Sequence, residues 1–298
     1  MPSADAPVED QETGDRSQEL AGLDLLELAS DRTESRARRL WSGTWPKVAA
    51  IVLGIGIWQV VVWSGWKPRA ALASPHEAWD DLWGYAADGT LATAIRITMQ
   101  RAAVGFALAV LIGTVVGSLV ARVKVLRAAF GSLITGVQTM PSIAWFPLAI
   151  LLFQLSEEAI LFVVVLGAAP SVANGLISGA DNIPPILLRA GRVLGARGLS
   201  AYRYVILPAS LPSFVGGLKQ GWAFAWRSLM AGELIVTIRG KESVGFLLTQ
   251  NRAVNNSSGL IASMIIVLVI GIVVDSLLFG RMERAIRRRW GLLDTATT

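Results

Sequence analysis

Five stretches of this chain run for the thickness of a bilayer core without one charged residue: Val48–Trp66, Ala102–Ala121, Ala128–Ser156, Ala159–Ala180 and Ala253–Val274. A helix crosses the hydrocarbon core with about 20 mainly apolar residues. So many runs of that length predict an all-α membrane protein. A sixth region, Tyr204–Ile235, is apolar but carries Lys219, Arg227 and Glu233. Counting it as a span gives six transmembrane helices, near 46–66, 96–121, 128–155, 159–180, 204–235 and 253–280. The alternative is five spans and a surface segment. Composition agrees with a membrane bundle, since 16% of the residues are charged and 53% hydrophobic, where a soluble domain carries about 25% charged.

Lys and Arg collect on cytoplasmic flanks. With the N-terminus inside, the inner flanks hold Arg32, Arg36, Arg38, Arg39 and Lys47, then Arg122, Lys124 and Arg127, then Arg189, Arg192, Arg197 and Arg203, then the tail arginines from Arg281 to Arg289. The outer loops hold Lys67, Arg69, Arg239, Lys241 and Arg252. The contrast predicts both termini in the cytoplasm, and it accounts for a pI near 10.0 without nucleic acid. Residues 1–40 form an acidic tail, expected to be mostly disordered. Its first 30 residues lack the basic start and apolar core of a signal peptide. Leu20, Leu23, Leu25, Leu26 and Leu28 leave open a short amphipathic helix. The expected permeation domain is 41–292, with a short tail at 293–298.

The chain has no cysteine and one histidine, His76. Thiolate metal sites, cysteine nucleophiles and histidine triads are excluded, and no metal site is expected. His76-Glu77 starts like a zinc-protease motif, but Asp80 stands where the second histidine belongs. Ser74-Pro75-His76-Glu77 reads instead as a capping box opening a short outer helix.

Three small-residue faces, Gly113/Gly117, Gly175/Gly179 and Gly217/Gly221, allow close helix approach, within a bundle or along a dimer seam. Pro141 and Pro147 are expected to kink the third span, and irregular backbone at membrane depth usually lines a cavity. Gln138, Thr139 and Ser142 flank that kink. They either line a pathway or satisfy carbonyls freed by the proline. Charges within spans are functional candidates. Arg227 is the candidate contact for an anionic substrate, because a guanidinium offers paired donors to oxyanions. The alternatives are a structural pairing within the bundle, with Glu233 as a candidate, or a side chain that snorkels outward. Asp275 is expected to pair with a nearby arginine. The acidic pairs Glu157-Glu158 and Asp80-Asp81 show no basic or metal-binding companion, which argues against a membrane enzyme.

The segment Asp181–Pro212 is too polar and proline-punctuated to cross lipid. Pro184 and Pro185 open a short helix with one apolar and one basic side, Gly195 and Gly198 end it, and Ser200 can cap the next. Within it lie Arg189-Ala190-Gly191, three residues, Gly195, nine residues, and Val205-Ile206-Leu207-Pro208. This spacing resembles the EAA loop of permeases from binding-protein-dependent ABC importers. Arg189 stands where that family usually has Glu, and Gly191 replaces the second Ala. Gln138-Thr139-Met140-Pro141, Leu207–Pro212, Ala225–Glu233 and Arg281–Trp290 look like the nitrate/sulfonate/taurine/bicarbonate branch.

The resemblance implies a type I importer permease fold with 181–203 as the coupling loop, and Arg189, Ala190, Gly191, Gly195, Leu207 and Pro208 as its ATPase-coupling residues. It also implies a second permease copy (usually a homodimer), two ATP-binding subunits and an extracellular or periplasmic substrate-binding protein, in the cytoplasmic membrane. Gly240-Lys241-Glu242-Ser243 looks faintly like the end of a P-loop, but Ile235 occupies the place of its first glycine. ATP and Mg are therefore expected on the partner, the chain itself is not expected to be an enzyme, and no nucleic-acid partner is implied. A channel or gradient-driven carrier would have no need of such a loop.

Overall fold

A computed structural model describes residues 36–289. The acidic segment with its leucine stripe and the end of the tail lie outside the described residues. Residues 1–61 and 62–298 separate into two units. The first contains most of α1 (Arg36–Trp63), whose apolar stretch Thr44–Trp63 has no buried residue.

In the second unit, α2 (Pro75–Ala87) starts at a complete capping box. The Glu77 N–H donates to Ser74 Oγ at 3.3 Å, and the Ser74 N–H donates to Glu77 Oε2 at 2.7 Å. These two bonds satisfy donors that the helix start leaves free. His76 Nδ1 lies 2.8 Å from Asp80 Oδ2 one turn along, and no cluster of three possible metal ligands exists among the described residues.

Helix α3 (Thr90–Arg122) buries a stripe of small residues, Ala94, Ala102, Gly105, Ala109, Gly113 and Gly117. Helix α4 (Lys124–Thr139) stops at Met140. Pro141 offers no N–H and forces the residue before it into extended backbone; Met140 has ψ 135°. The chain resumes in a 3-10 turn, Ser142–Trp145, and α5 (Phe146–Phe153), bent by 102° from α4. The expected kinked helix over 128–155 is thus two helices. Pro141 alone makes the break, because Pro147 sits in the first turn of α5, where a missing N–H costs nothing.

Helix α6 (Glu157–Asp181) is the axis of the unit, packed between α3 and α8 (Leu207–Ile235). Between α6 and α8 come α7 (Pro185–Val193), a single turn at Leu199–Ala201 and a π-helical turn at Tyr202–Ile206. Then follow α9 (Val244–Ala253), α10 (Ser257–Val274), a second π-helical turn at Asp275–Phe279 and α11 (Gly280–Arg289).

The glycine faces hold this bundle together. A Cβ on Gly113 would lie 2.6 Å from the Ala169 carbonyl, one on Gly117 2.8 Å from Ala173 Cα, and one on Gly175 2.7 Å from Gly217 Cα. The alternative of a dimer seam is therefore set aside for these faces, which are consumed inside the chain. Around them Phe146, Ile160, Leu229 and Phe279 are fully buried, and Phe106 meets Trp222 edge-on at 5.3 Å, a geometry aromatic quadrupoles favour.

Among the described residues, four helices are long and apolar enough to cross a membrane: Thr44–Trp63, Thr90–Arg122, Glu157–Asp181 and Ser257–Ile286; the bent pair around Pro141 makes a fifth if it is one span. Helix α8 is not in that set, although its 29 residues reach about 43 Å at 1.5 Å per residue. It bears the charges Lys219, Arg227 and Glu233.

Candidate functional site

The segment joining α6 to α8 is closed by local hydrogen bonds. The N–H groups of Gly195 and Ala196 close on the carbonyls of Arg192 and Gly191, at 3.1 and 2.8 Å. This paired closure is a Schellman end. Gly195 takes φ +82° and Gly198 φ +56°, left-handed values that cost an L residue about 1–2 kcal/mol. Ser200 does not cap from outside a helix. It lies within the Leu199–Ala201 turn and clamps Arg197, accepting from its N–H at 2.9 Å and donating to its carbonyl at 2.8 Å.

Gly191 is the buried residue of α7, and a Cβ there would meet Val205 Cγ2 at 2.7 Å. That close approach sets α7 on the π-helical turn. Arg189 and Ala190 are left exposed, Leu207 is exposed at the start of α8, and Pro208 lies in that helix's first turn. The segment is fastened to the bundle at Tyr202, whose ring lies 3.9 Å from the Arg122 guanidinium. Beside it Arg127 pairs with Asp181.

Gln138, Thr139, Ser142 and Arg227 come together around one cavity of about 330 Å³, floored by Gly167. The break at Pro141 opens it, and α8 supplies Arg227 from the other side. Gln138 accepts a hydrogen bond from Asn174 Nδ2, which ties α4 to α6. Thr139 donates to the Gly136 carbonyl at 2.8 Å. That carbonyl loses its helical donor because the Met140 N–H turns to Val137. Its hydroxyl thus serves the broken backbone as well as lining the cavity.

Arg227 is exposed and forms no ion pair among the described residues. Its Nε donates to the Ala223 carbonyl at 3.1 Å, and its guanidinium lies 4.8 Å from the Phe224 ring. It stands on a ridge, because a second, mostly apolar cavity of about 630 Å³ includes Arg227, Trp226, Met264 and Asp275. The expected arginine partner of Asp275 is instead Lys219, at 3.8 Å. The Ser228 hydroxyl, fully buried against Gly167, has no hydrogen-bond partner among the described residues.

At the opposite end of the bundle lies a network that sequence reasoning missed. Arg101, only 6% exposed, grips Glu157 with Nε and Nη2 at 2.8 and 2.9 Å and Glu233 with Nη1 at 2.9 Å. Lys241 reaches Glu157 at 2.8 Å. Glu233 also accepts from Thr98 Oγ1 at 3.0 Å and from the Gly245 N–H at 3.0 Å. The Val244 N–H completes the set on Thr98 Oγ1 at 3.0 Å. Glu157 therefore does have basic companions, against expectation, and Glu233 belongs to Arg101, not Arg227. The apparent P-loop end dissolves as well: Lys241 holds Glu157, and Ser243 caps α9.

These features match a known architecture. Residues 90–288 fit the family described as "Binding-protein-dependent transport system inner membrane component". The chain belongs to this family. It is the permease component of an ABC importer, and ATP hydrolysis resides in a separate subunit. A putative ABC transporter permease of Methanocaldococcus jannaschii is 30% identical over 192 residues, covering 64% of this chain and 71% of that one. A nitrate import permease protein of Leptolyngbya laminosa is 26% identical over 237 residues (78% and 84%). The taurine transport system permease protein of Escherichia coli is 25% identical over 274 residues (88% and 96%). In structure the fold is that of the permease in inward-facing MetNI methionine ABC transporter, with TM-score 0.56 at 19% identity over 66% of this chain and 95% of that one.

Proposed function

We propose that this permease carries a small anionic solute of the nitrate, taurine or bicarbonate kind across the cytoplasmic membrane, with both termini inside. Two copies form the pathway, two ATP-binding subunits drive it, and an extracellular or periplasmic binding protein delivers the solute. The permease domain comprises residues 41–292, with tails at 1–40 and 293–298, and α8 is its fifth span. The observation that carries the reading is the convergence of Gln138, Ser142 and the unpaired Arg227 on one cavity at the Pro141 break. A cation without a carboxylate partner, beside an amide and a hydroxyl, suits an oxyanion in transit. The relatives named for nitrate and taurine support the solute class.

Residues 181–203 are the coupling loop in this reading. Arg189, Ala190, Gly191 and Gly195 form or shape the docking surface, and Leu207-Pro208 starts the helix that it moves. The ATPase closes and the loop follows as a rigid body, turning the pathway from one side to the other. The hydrogen-bonded closure at Gly195-Ala196 and the Ser200 clamp on Arg197 support such transmission.

The test is uptake of labelled nitrate, taurine and bicarbonate by cells holding the whole transporter. Arg227→Gln is expected to cut uptake of the transported solute about 10- to 100-fold, the worth of a charge-assisted hydrogen bond, while the ATPase stays bound. Unchanged uptake by that variant overturns the assignment of Arg227.

A further inference from the structure

No acidic residue occurs between Asp181 and Glu233. Asp181 itself is held by Arg127. Across this acid-free stretch Arg189, Arg192 and Arg197 are exposed, and none has a carboxylate partner among the described residues. Arg189 and Arg192 are three apart on α7, hence on one face. Beside them, Val193 and Leu194 are 87% and 86% exposed, more than any other large hydrophobic residue described. Inner flanks collect basic residues in any membrane protein, but here the two arginines frame a bare apolar corner on a fixed backbone. Gly191 seats the helix on Val205, the Schellman end sets the corner, and Ser200 clamps Arg197.

We propose that the ATP-binding subunit serving this permease receives α7 in an acidic socket, with carboxylates facing Arg189 and Arg192 and the Val193-Leu194 corner seated between them. The proposal rests on the coupling-loop reading above and adds the sign of the charge that the loop recognises. A preordered apolar knob with a charged rim fits a preformed protein socket, where burial supplies affinity and charge selects the partner. Anionic headgroups would attract the same arginines but need no fixed corner. The pair thereby acts as a specificity determinant: a socket lined with lysine or arginine is repelled, and such repulsion discriminates between partners as effectively as attraction.

The experiment uses the tagged permease with the ATP-binding subunit that accompanies it out of its own membranes. Retained ATPase is measured in nanodiscs of phosphatidylcholine and of phosphatidylglycerol, between 0.05 and 0.5 M salt. Arg189→Glu with Arg192→Glu is expected to weaken retention about tenfold or more at low salt in both lipids. Arg189→Lys with Arg192→Lys is expected to keep it, and the wild-type complex to loosen as salt rises. Retention of the ATPase by the double Glu variant at the wild-type level overturns the acidic socket. If Gly195→Val still releases the ATPase in that case, docking by the loop stands and only the charge assignment falls. Weakening seen in phosphatidylglycerol alone assigns the arginines to lipid and equally overturns it. A wild-type chain that brings no ATPase at all removes both readings.

Discussion

The two ends of the bundle handle charge in opposite ways. At the end formed by the start of α6, the close of α8 and the start of α9, Arg101, Glu157, Glu233 and Lys241 are mutually paired, with Thr98 and two backbone N–H groups filling the remaining positions on Glu233 and Thr98. At the end that carries α7, Arg189, Arg192 and Arg197 stand exposed with no carboxylate partner among the described residues, on backbone that includes two left-handed glycines. One end satisfies its charges within the chain; at the other, Arg127 and Asp181 pair but the three arginines of the connecting segment do not. Desolvated charge is tolerated only when paired and hydrogen-bonded, so the closed network reports where the chain is complete in itself. Under the docking proposal, the open one marks where a partner is expected.

The largest effect is expected from breaking the closed end. Glu233→Ala leaves the Arg101 guanidinium half-paired in a buried site, and losing one partner of such a pair costs about 3–5 kcal/mol. Thermal unfolding in detergent should show it as a large drop in Tm. Replacing Arg101 and Glu233 together by Met and Leu should recover much of the loss. A double variant as unstable as the single one would show that the network contributes more than the cancellation of its own charges.

The open end should respond in the reverse manner. Gly195→Val meets no atom within 4 Å, but it forces a β-branched residue to φ +82°. The strain of about 1–2 kcal/mol is local, so Tm should move little. Coupling should suffer, with uptake falling at least fivefold per ATP hydrolysed. Equal losses of Tm and uptake would erase the distinction between the ends.

The smallest effect belongs to the cap of α2. Bonds from the Ser74 N–H and hydroxyl hold the Glu77 carboxyl below its ordinary value of 4.5. A depressed carboxyl stabilises above its unfolded value and ceases to do so as pH falls through its folded one, so the start of α2 should loosen only below about pH 4.5. The chain has no cysteine, so a spin label on Ala87→Cys reports α2 alone. Its mobility should rise at low pH, and Glu77→Gln should show the raised mobility at every pH.

The helical architecture was legible because lipid imposes one requirement on every span: a long apolar run. The capping box was legible because it is a local rule carried by adjacent residues; a kink at Pro141 and Pro147 was expected for the same reason, but the chain breaks into two helices at Pro141 alone. The Arg101 network was not legible. Its partners lie 56 and 132 residues away in sequence, and Arg101 looked like the edge of an apolar run. One signal was present: Arg101 and Glu233 are charges of opposite sign placed where neither can remain alone. The neighbours of Gln138 and Arg227 were equally hidden, since only folding brings the Pro141 break against α8. The Asp275 pairing went astray for a simpler reason, as the basic tail offered many arginines nearby and Lys219 sits one helix over.

The contact between Gly175 and Gly217 bears on motion. Two backbones that meet without side chains lie in direct contact, and a side chain added at either glycine would push them apart. Helices α6 and α8 are thereby joined over a long shared face, and a displacement of either one is expected to carry the other. The backbone at Met140-Pro141, where the ladder of helical hydrogen bonds is interrupted, is by contrast the place in this unit where bending costs fewest helical bonds.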